Sequence, residues 1–175
     1  MVNKHAVILI GHGGTASDTP RAMVGELKRL ESERQARREA TMSAREAELD
    51  KAVREWPRTP ATDAYKCGVE EIAAALAPML GGRKLVTAYN EFCAPSVEDA
   101  IEALVDEGFV RISLISTMFT RGGIHAECEI PGIVMAAAKK YPNVVVEYAW
   151  PFDAGVIAAF LAGQLDRALP APAPR

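Results

Sequence analysis

The sequence predicts an α/β fold in which helices flank a four-stranded parallel sheet. Four short runs are rich in Val, Ile and Leu, and the segments between them carry apolar residues at helical spacing. The predicted strands are Ala6 to Ile10, Lys84 to Tyr89, Val110 to Ile115 and Val144 to Tyr148. Because helical segments rather than tight turns separate these runs, we expect the strands to be parallel.

The clearest strand–helix–strand unit joins the second and third strands. Ser96 stands where an N-cap is needed and Gly108 where the helix must stop, with an apolar stripe between them. Similar stripes run from Val69 to Leu80, before the second strand, and from Val156 to Leu165, after the fourth. We expect both of these helices to pack on the sheet.

A charged segment from Arg21 to Lys66 follows the first strand. It predicts two mainly solvated helices, with Ser43 and Glu46 as a capping box at the start of the second. A surface excursion without a role and a lid that borders the active-site cleft both fit this composition. We expect residues 1–169 to form one domain that includes this 21–66 insertion, and the tail 170–175 to be disordered.

Composition narrows the classes of function. A net charge of -3 gives no basic field for nucleic acid or anionic lipid. The apolar run from Ala6 to Ile10 is too short for a signal peptide or a membrane span, so we expect a cytoplasmic protein with no membrane partner. The three cysteines are odd in number and lack CxxC spacing, which predicts reduced thiols.

The first strand ends in Gly11-His12-Gly13-Gly14, where glycines let the chain turn sharply and leave the imidazole of His12 at the edge of the sheet. Part of this segment fits the dinucleotide fingerprint G-x-G-x-x-G/A, but no second strand follows promptly to supply the acidic ribose ligand. No Gly-Lys-Ser/Thr follows either. We therefore expect no nucleotide cofactor.

His125 lies in the loop after the third strand. In a flavodoxin-like strand order the first and third strands are neighbours, so the loops that carry His12 and His125 would converge at the carboxyl edge of the sheet. Two imidazoles suit a borderline divalent ion such as Co²⁺, Fe²⁺ or Ni²⁺. The alternative is that each histidine only bonds nearby backbone.

Other candidates follow the same strands. Glu91, just past the second strand, is either a ligand or proton acceptor or a solvated carboxylate. Glu129 precedes Pro131 and is a weaker ligand candidate, because a carboxylate there would also favourably face the helix dipole. Arg121 is a candidate to pair with a substrate carboxylate. Cys128 is a candidate soft ligand, but its residue type favours a small buried thiol.

Three segments, taken in order, resemble the class II chelatases, most of all the small sirohydrochlorin cobaltochelatase and ferrochelatase group. They are Gly11-His12-Gly13, Glu91-Phe92-Cys93-Ala94-Pro95-Ser96, and Gly123-Ile124-His125 with Glu129-Ile130-Pro131. The resemblance implies one chelatase lobe with His12 and His125 as metal ligands and Glu91 as a site residue. The chain departs from the family pattern at Gly14-Thr15, usually Ser-Arg, and at Glu129, usually Asp.

The reaction that this resemblance implies is the insertion of a divalent metal, Co²⁺, Fe²⁺ or Ni²⁺, into a tetrapyrrole such as sirohydrochlorin. It needs no ATP, the metal is a substrate, and it belongs to cobalamin or siroheme biosynthesis. Arg121 would orient the carboxylates of the macrocycle. Full-length chelatases resemble two such lobes facing a cleft, so a homodimer is expected. The rival function is a non-enzymatic carrier of metal or tetrapyrrole.

Overall fold

The structure is a computed structural model that describes residues 4–169 of the chain. Four strands alternate with helices, as the apolar runs predicted. The strands are β1 (His5–Gly11), β2 (Lys84–Tyr89), β3 (Arg111–Ser116) and β4 (Val145–Tyr148). The α-helices are α1 (Arg21–Arg37), α2 (Ala44–Arg54), α3 (Ala64–Leu76), α4 (Val97–Asp106), α5 (Ile130–Lys140) and α6 (Ala154–Ala168).

The four strands form one parallel sheet in the order β2-β1-β3-β4. This confirms the predicted flavodoxin-like arrangement. Because β1 lies between β2 and β3, the loops that follow these three strands leave the same edge of the sheet side by side. The loops after β1, β2 and β3 carry His12, Glu91 and His125 respectively.

Helices α4 and α5 cover one face of the sheet, and α3 covers the β2 and β1 part of the other. Ile8, Ile10, Ile112 and Leu114 point to the face covered by α4 and α5, whereas Leu9 and Tyr89 face Val69 of α3. Ser96 caps α4 as predicted, and Asp99 completes a reciprocal capping box with it. These packed elements provide a rigid base for the loops at the carboxyl edge.

The charged segment forms two helices, α1 and α2, that pack on each other through Leu27, Leu49 and Val53. The predicted capping box is only half formed. The Ser43 hydroxyl accepts a bond from the Glu46 backbone N–H, but the Glu46 side chain is buried and accepts from Arg34 at 2.8 Å instead. A buried carboxylate needs a charged partner, and Arg34 supplies it.

The prediction that the last helix packs on the sheet is wrong. Every residue of α6 is exposed except Ile157, which is half-buried, and the exposed set includes Val156, Phe160, Leu161 and Leu165. An apolar stripe identifies an amphipathic helix but does not identify the surface that covers it. The predicted tail 170–175 lies outside the described residues. Within residues 4–169, no helix has both the length and the apolar character needed to cross a membrane.

Candidate metal centre

The loops after β1 and β2 are in direct backbone contact. Glu91 donates its backbone N–H to the carbonyl of His12 at 2.8 Å, and Asn90 donates to the carbonyl of Gly11 at 3.0 Å. Gly13 has φ 91°, and a Cβ atom built there would lie 1.9 Å from the Glu91 carbonyl oxygen. A side chain therefore cannot be accommodated at Gly13. The absence of one lets the two loops approach closely, and this close approach holds His12 next to Glu91.

His125 begins a short π-helical turn, His125–Glu129, that continues directly into α5. The turn places the side chains of His125 and Glu129 on the same side, and His125 Nδ1 lies 2.7 Å from Glu129 Oε2. Single π-helical turns often occur at functional sites. Here the turn points an imidazole back toward the β1 loop.

His12, Glu91 and His125 converge into one group of potential metal ligands. One nitrogen or oxygen from each side chain lies within 4.8 Å of those of the other two. The rings of His12 and His125 have centroids 4.8 Å apart and are nearly perpendicular. The expected convergence of the two histidines is therefore present, and Glu91 joins them.

The Nε2 atoms of both histidines face the same carboxylate. His12 Nε2 lies 3.8 Å from one Glu91 oxygen, and His125 Nε2 lies 3.8 Å from the other. These separations are too long for hydrogen bonds. Bonds of about 2.0–2.2 Å to a divalent ion would place ligand atoms up to about 4 Å apart, so an ion fits between them with small side-chain movements.

Hydrogen bonds at the other ring nitrogens leave the Nε2 atoms free. Nδ1 of His12 lies 2.8 Å from the carbonyl oxygen of Gly13, and Nδ1 of His125 lies 2.7 Å from a Glu129 oxygen. Carbonyl and carboxylate oxygens only accept, so Nδ1 of His12 is a donor and its Nε2 carries the lone pair. Nδ1 of His125 also lies 2.9 Å from the amide nitrogen of Asn90, and its shorter contact with the Glu129 carboxylate assigns it as the donor, which leaves the lone pair on Nε2. This arrangement of a metal-binding histidine and an acceptor behind it is common in metal sites.

Glu129 supports His125 through its side chain. It is the N-cap residue of α5 but makes no side-chain capping hydrogen bond there, and the expected interaction of its charge with the helix dipole stays a prediction. Asn90 donates to the same Glu129 oxygen at 2.7 Å. Burial alone would raise the pKa of Glu129, but the hydrogen bonds from His125 and Asn90 outweigh it and hold the pKa below 4.5. The carboxylate therefore stays ionised and a strong acceptor for Nδ1.

Sequence reasoning missed two supporting residues. Asn90 was not assigned a role although it directly precedes Glu91, and its position at the end of β2 was the only available signal. Tyr65, in the first turn of α3, accepts the backbone N–H of His12 at 2.8 Å through its hydroxyl. Nothing in the local sequence links Tyr65 to His12, since 53 residues separate them.

Two predicted residues lie away from the ligand group. Arg121 is exposed, and its Nε lies 3.6 Å from a Glu127 oxygen. Its predicted contact with a substrate carboxylate stays a prediction. Cys128 is exposed rather than buried.

The insertion borders a cleft of about 550 Å³ beside the ligand group. Helices α1 and α2 form one wall of this cleft and α5 forms another, and the choice between a lid and a surface excursion stays open. The cleft is lined by two arginines and six carboxylates. Arg34 pairs with Glu46, and Arg54 pairs with Asp50. The other four carboxylates are Glu31, Glu91, Glu98 and Glu129. The excess negative charge attracts cations and repels polyanions.

Fold and site together define a lobe of the class II chelatases. The family model CbiX matches residues 60–162, more than half of the chain, and the chain belongs to this family. A sirohydrochlorin ferrochelatase of Priestia megaterium is 31% identical over 64 residues, which are 37% of this chain and 24% of that protein.

Two solved structures resemble the chain at lower similarity. SirB from Bacillus subtilis with Fe3+ has a TM-score of 0.46 at 20% identity, over 95% of this chain and 48% of SirB. A cobalamin (vitamin B12) biosynthesis CbiX protein from Marinobacter aquaeolei VT8 has a TM-score of 0.49 at 15% identity, over 94% of this chain and 99% of that one. The chain thus spans about half the length of SirB.

Proposed function

We propose that this protein inserts a divalent metal ion, Co²⁺ or Fe²⁺ and by the same chemistry Ni²⁺, into a tetrapyrrole such as sirohydrochlorin without ATP. One observation carries the proposal: two imidazoles present their free Nε2 atoms to the two oxygens of the Glu91 carboxylate. Membership of the CbiX family and the relation to a sirohydrochlorin ferrochelatase support it.

The ligand group suits an ion that must be released. Three side chains from three separate loops leave coordination positions open, unlike a closed structural site with four protein ligands. The side chain of His12 is 41% exposed, and those of Glu91 and His125 are 23% and 20% exposed. A macrocycle can therefore approach an ion held there.

The same residues can accept the protons that insertion releases. Each metal ion that enters the ring displaces two pyrrole protons. When the ion moves from the protein to the macrocycle, the lone pairs of Glu91 and of an imidazole become available as bases. The site then exchanges one divalent cation for two protons, so its net charge does not change during the reaction.

The macrocycle is proposed to lie on the side away from the acidic cleft. Sirohydrochlorin carries many carboxylates, which the acidic lining of the cleft would repel. Phe119, Phe152 and Trp150, in the loops after β3 and β4, form a continuous row of ring contacts that ends on Tyr148, the last residue of β4. Such rings are suited to contact a planar macrocycle, and Arg121 in the β3 loop to pair with its carboxylates.

We also propose that the protein acts as a homodimer. One lobe supplies only one wall of the two-lobed cleft that larger chelatases use, and the exposed apolar stripe of α6 offers surface for a second copy. Light scattering is expected to give twice the chain mass of 18.8 kDa. An active strict monomer would contradict this part of the proposal.

The central test is turnover. Purified protein is mixed with excess sirohydrochlorin and Co²⁺ or Fe²⁺, and metal insertion is followed by the absorption spectrum. We expect many insertions per protein chain, with His125→Ala reducing the rate at least about 100-fold. His5→Ala is the matched control, because His5 bonds Ser113 on the sheet and lies outside the ligand group. Stoichiometric binding without turnover would favour the carrier function.

A further inference from the structure

Arg58, in the linker between α2 and α3, connects the two loops that carry His12 and Glu91. Its Nη1 donates to the carbonyl of Gly14 at 2.7 Å, two residues after His12. Its Nη2 donates to the carbonyl of Phe92, the residue after Glu91. One guanidinium group thus bonds the backbone of both loops.

The guanidinium group itself is fixed in place. Nη1 also donates to the Asp63 carboxylate, which caps α3, and Nη2 donates to the carbonyl of Val53 in α2 at 3.2 Å. The Arg58 side chain is 7% exposed and that of Asp63 is 4% exposed. Both Nη atoms have two acceptors each, whereas the buried Nε has no hydrogen-bond partner. The group is held rigidly, because few other orientations keep the Nη donors paired.

The hydrogen bond from Arg58 to the Phe92 carbonyl is made to a residue with an unfavourable backbone conformation. Phe92 has φ 54°, in the left-handed region that non-glycine residues rarely adopt. Residues in such conformations persist when surrounding contacts hold them. Arg58 provides that contact directly beside Glu91, and Arg54 adds a bond to the carbonyl of Asn90 on its other side at 3.1 Å.

We propose that Arg58 is a positioning residue for the metal site, which holds the Glu91 carboxylate in register with the imidazole of His12. Arg58 lies before residues 60–162, the part that the CbiX model matches. The insertion therefore contributes to the metal centre through Arg58, in the segment that connects α2 to α3. This inference rests on the proposed metal site, but it makes a separate claim about what organises that site.

The test is a titration with Co²⁺ alone, followed by calorimetry and by the visible absorption of the bound ion. We expect Arg58→Met to weaken Co²⁺ binding about 10-fold to 100-fold, the range typical of residues that support metal ligands. Arg34→Met is the matched control. It removes an arginine of the insertion that pairs with buried Glu46, and neither site loop is among its hydrogen-bond partners. We expect its Co²⁺ affinity to stay within about 2-fold of wild type.

A double-mutant cycle separates positioning from general loss of structure. If Arg58 acts through Glu91, the Arg58→Met and Glu91→Gln effects on Co²⁺ affinity should not multiply, and the double variant should bind within about 2-fold of the weaker single variant. Fully multiplicative effects would overturn the proposal. So would wild-type affinity in Arg58→Met.

A conservative variant covers the case in which Arg58→Met does not fold. Arg58→Lys keeps the charge beside Asp63, but one ammonium group cannot bond both loop carbonyls in the same geometry. It should fold and bind Co²⁺ about 10-fold more weakly than wild type. Unchanged affinity in Arg58→Lys would contradict the role of Arg58, whereas a wild-type protein that fails to bind Co²⁺ would overturn the metal site itself.

Discussion

Replacement of Gly13 by alanine should damage both the fold and the site, whereas the same change at Gly14 should not. At Gly13 the new Cβ atom would lie 1.9 Å from the backbone oxygen of Glu91, and the residue would have to keep φ at 91°. The left-handed conformation alone costs an alanine about 1–2 kcal/mol. Because the clash is with a backbone atom, the two loops must move apart to remove it. That movement weakens the hydrogen bond from the Glu91 N–H to the His12 carbonyl, which is worth about 1 kcal/mol.

We therefore expect Gly13→Ala to lower the free energy of unfolding by about 3 kcal/mol, measured by urea denaturation with circular dichroism. Gly14→Ala should change it by no more than about 0.5 kcal/mol, because a Cβ atom added there would meet no other atom within 4 Å and its φ is not positive. Any folded Gly13→Ala protein should also bind Co²⁺ more weakly, since Glu91 is displaced. Equal stability and equal Co²⁺ affinity in the two variants would refute the close approach of these loops.

Four further predictions concern the ligand group and Glu129, which supports it. His12→Ala and His125→Ala should each keep the far-ultraviolet spectrum of the wild type and lose most metal insertion; near-normal turnover in both would remove them from the site. Glu129→Gln should weaken Co²⁺ binding about 10-fold and leave helix α5 intact, because the Glu129 carboxylate supports His125 and makes no capping hydrogen bond. Glu91→Gln should slow metal insertion at saturating metal and macrocycle. Since the folded pKa of Glu129 is lowered below 4.5, its contribution to stability is present above that pH and is lost as pH falls through the folded pKa. Denaturation at pH values from about 5 to about 3 should therefore show a smaller loss of stability in Glu129→Gln than in wild type, and identical slopes would count against this coupling.

Local patterns were sufficient for the strands and for the placement of the three candidate ligands. Strand β2 has the predicted bounds, β1 and β3 differ by one residue at each end, β4 differs by one residue at its start, and Ser96 caps α4 as its spacing indicated. Strand order followed from topology, which brought His12, Glu91 and His125 to one edge. These features depend on short-range chemistry and on rules for parallel sheets.

Long-range contacts could not be obtained in the same way. Glu129 was expected to face the helix dipole because Pro131 follows it, whereas its hydrogen bond from Asn90 joins residues 39 positions apart in the chain. The same limit applies to Arg58, which bonds Gly14 and Phe92 across 44 and 34 positions of the chain. A single sequence contains no signal for these pairs, because each bond depends on how the loops pack.

The most direct test of the account is the position of a bound ion. Crystals soaked in Co²⁺ and measured at the cobalt absorption edge would locate it by anomalous scattering. We expect one strong site about 2.0–2.2 Å from Nε2 of His12, Nε2 of His125 and an oxygen of Glu91. Cobalt bound elsewhere, with these three side chains in place and without metal, would contradict the assignment of the metal centre.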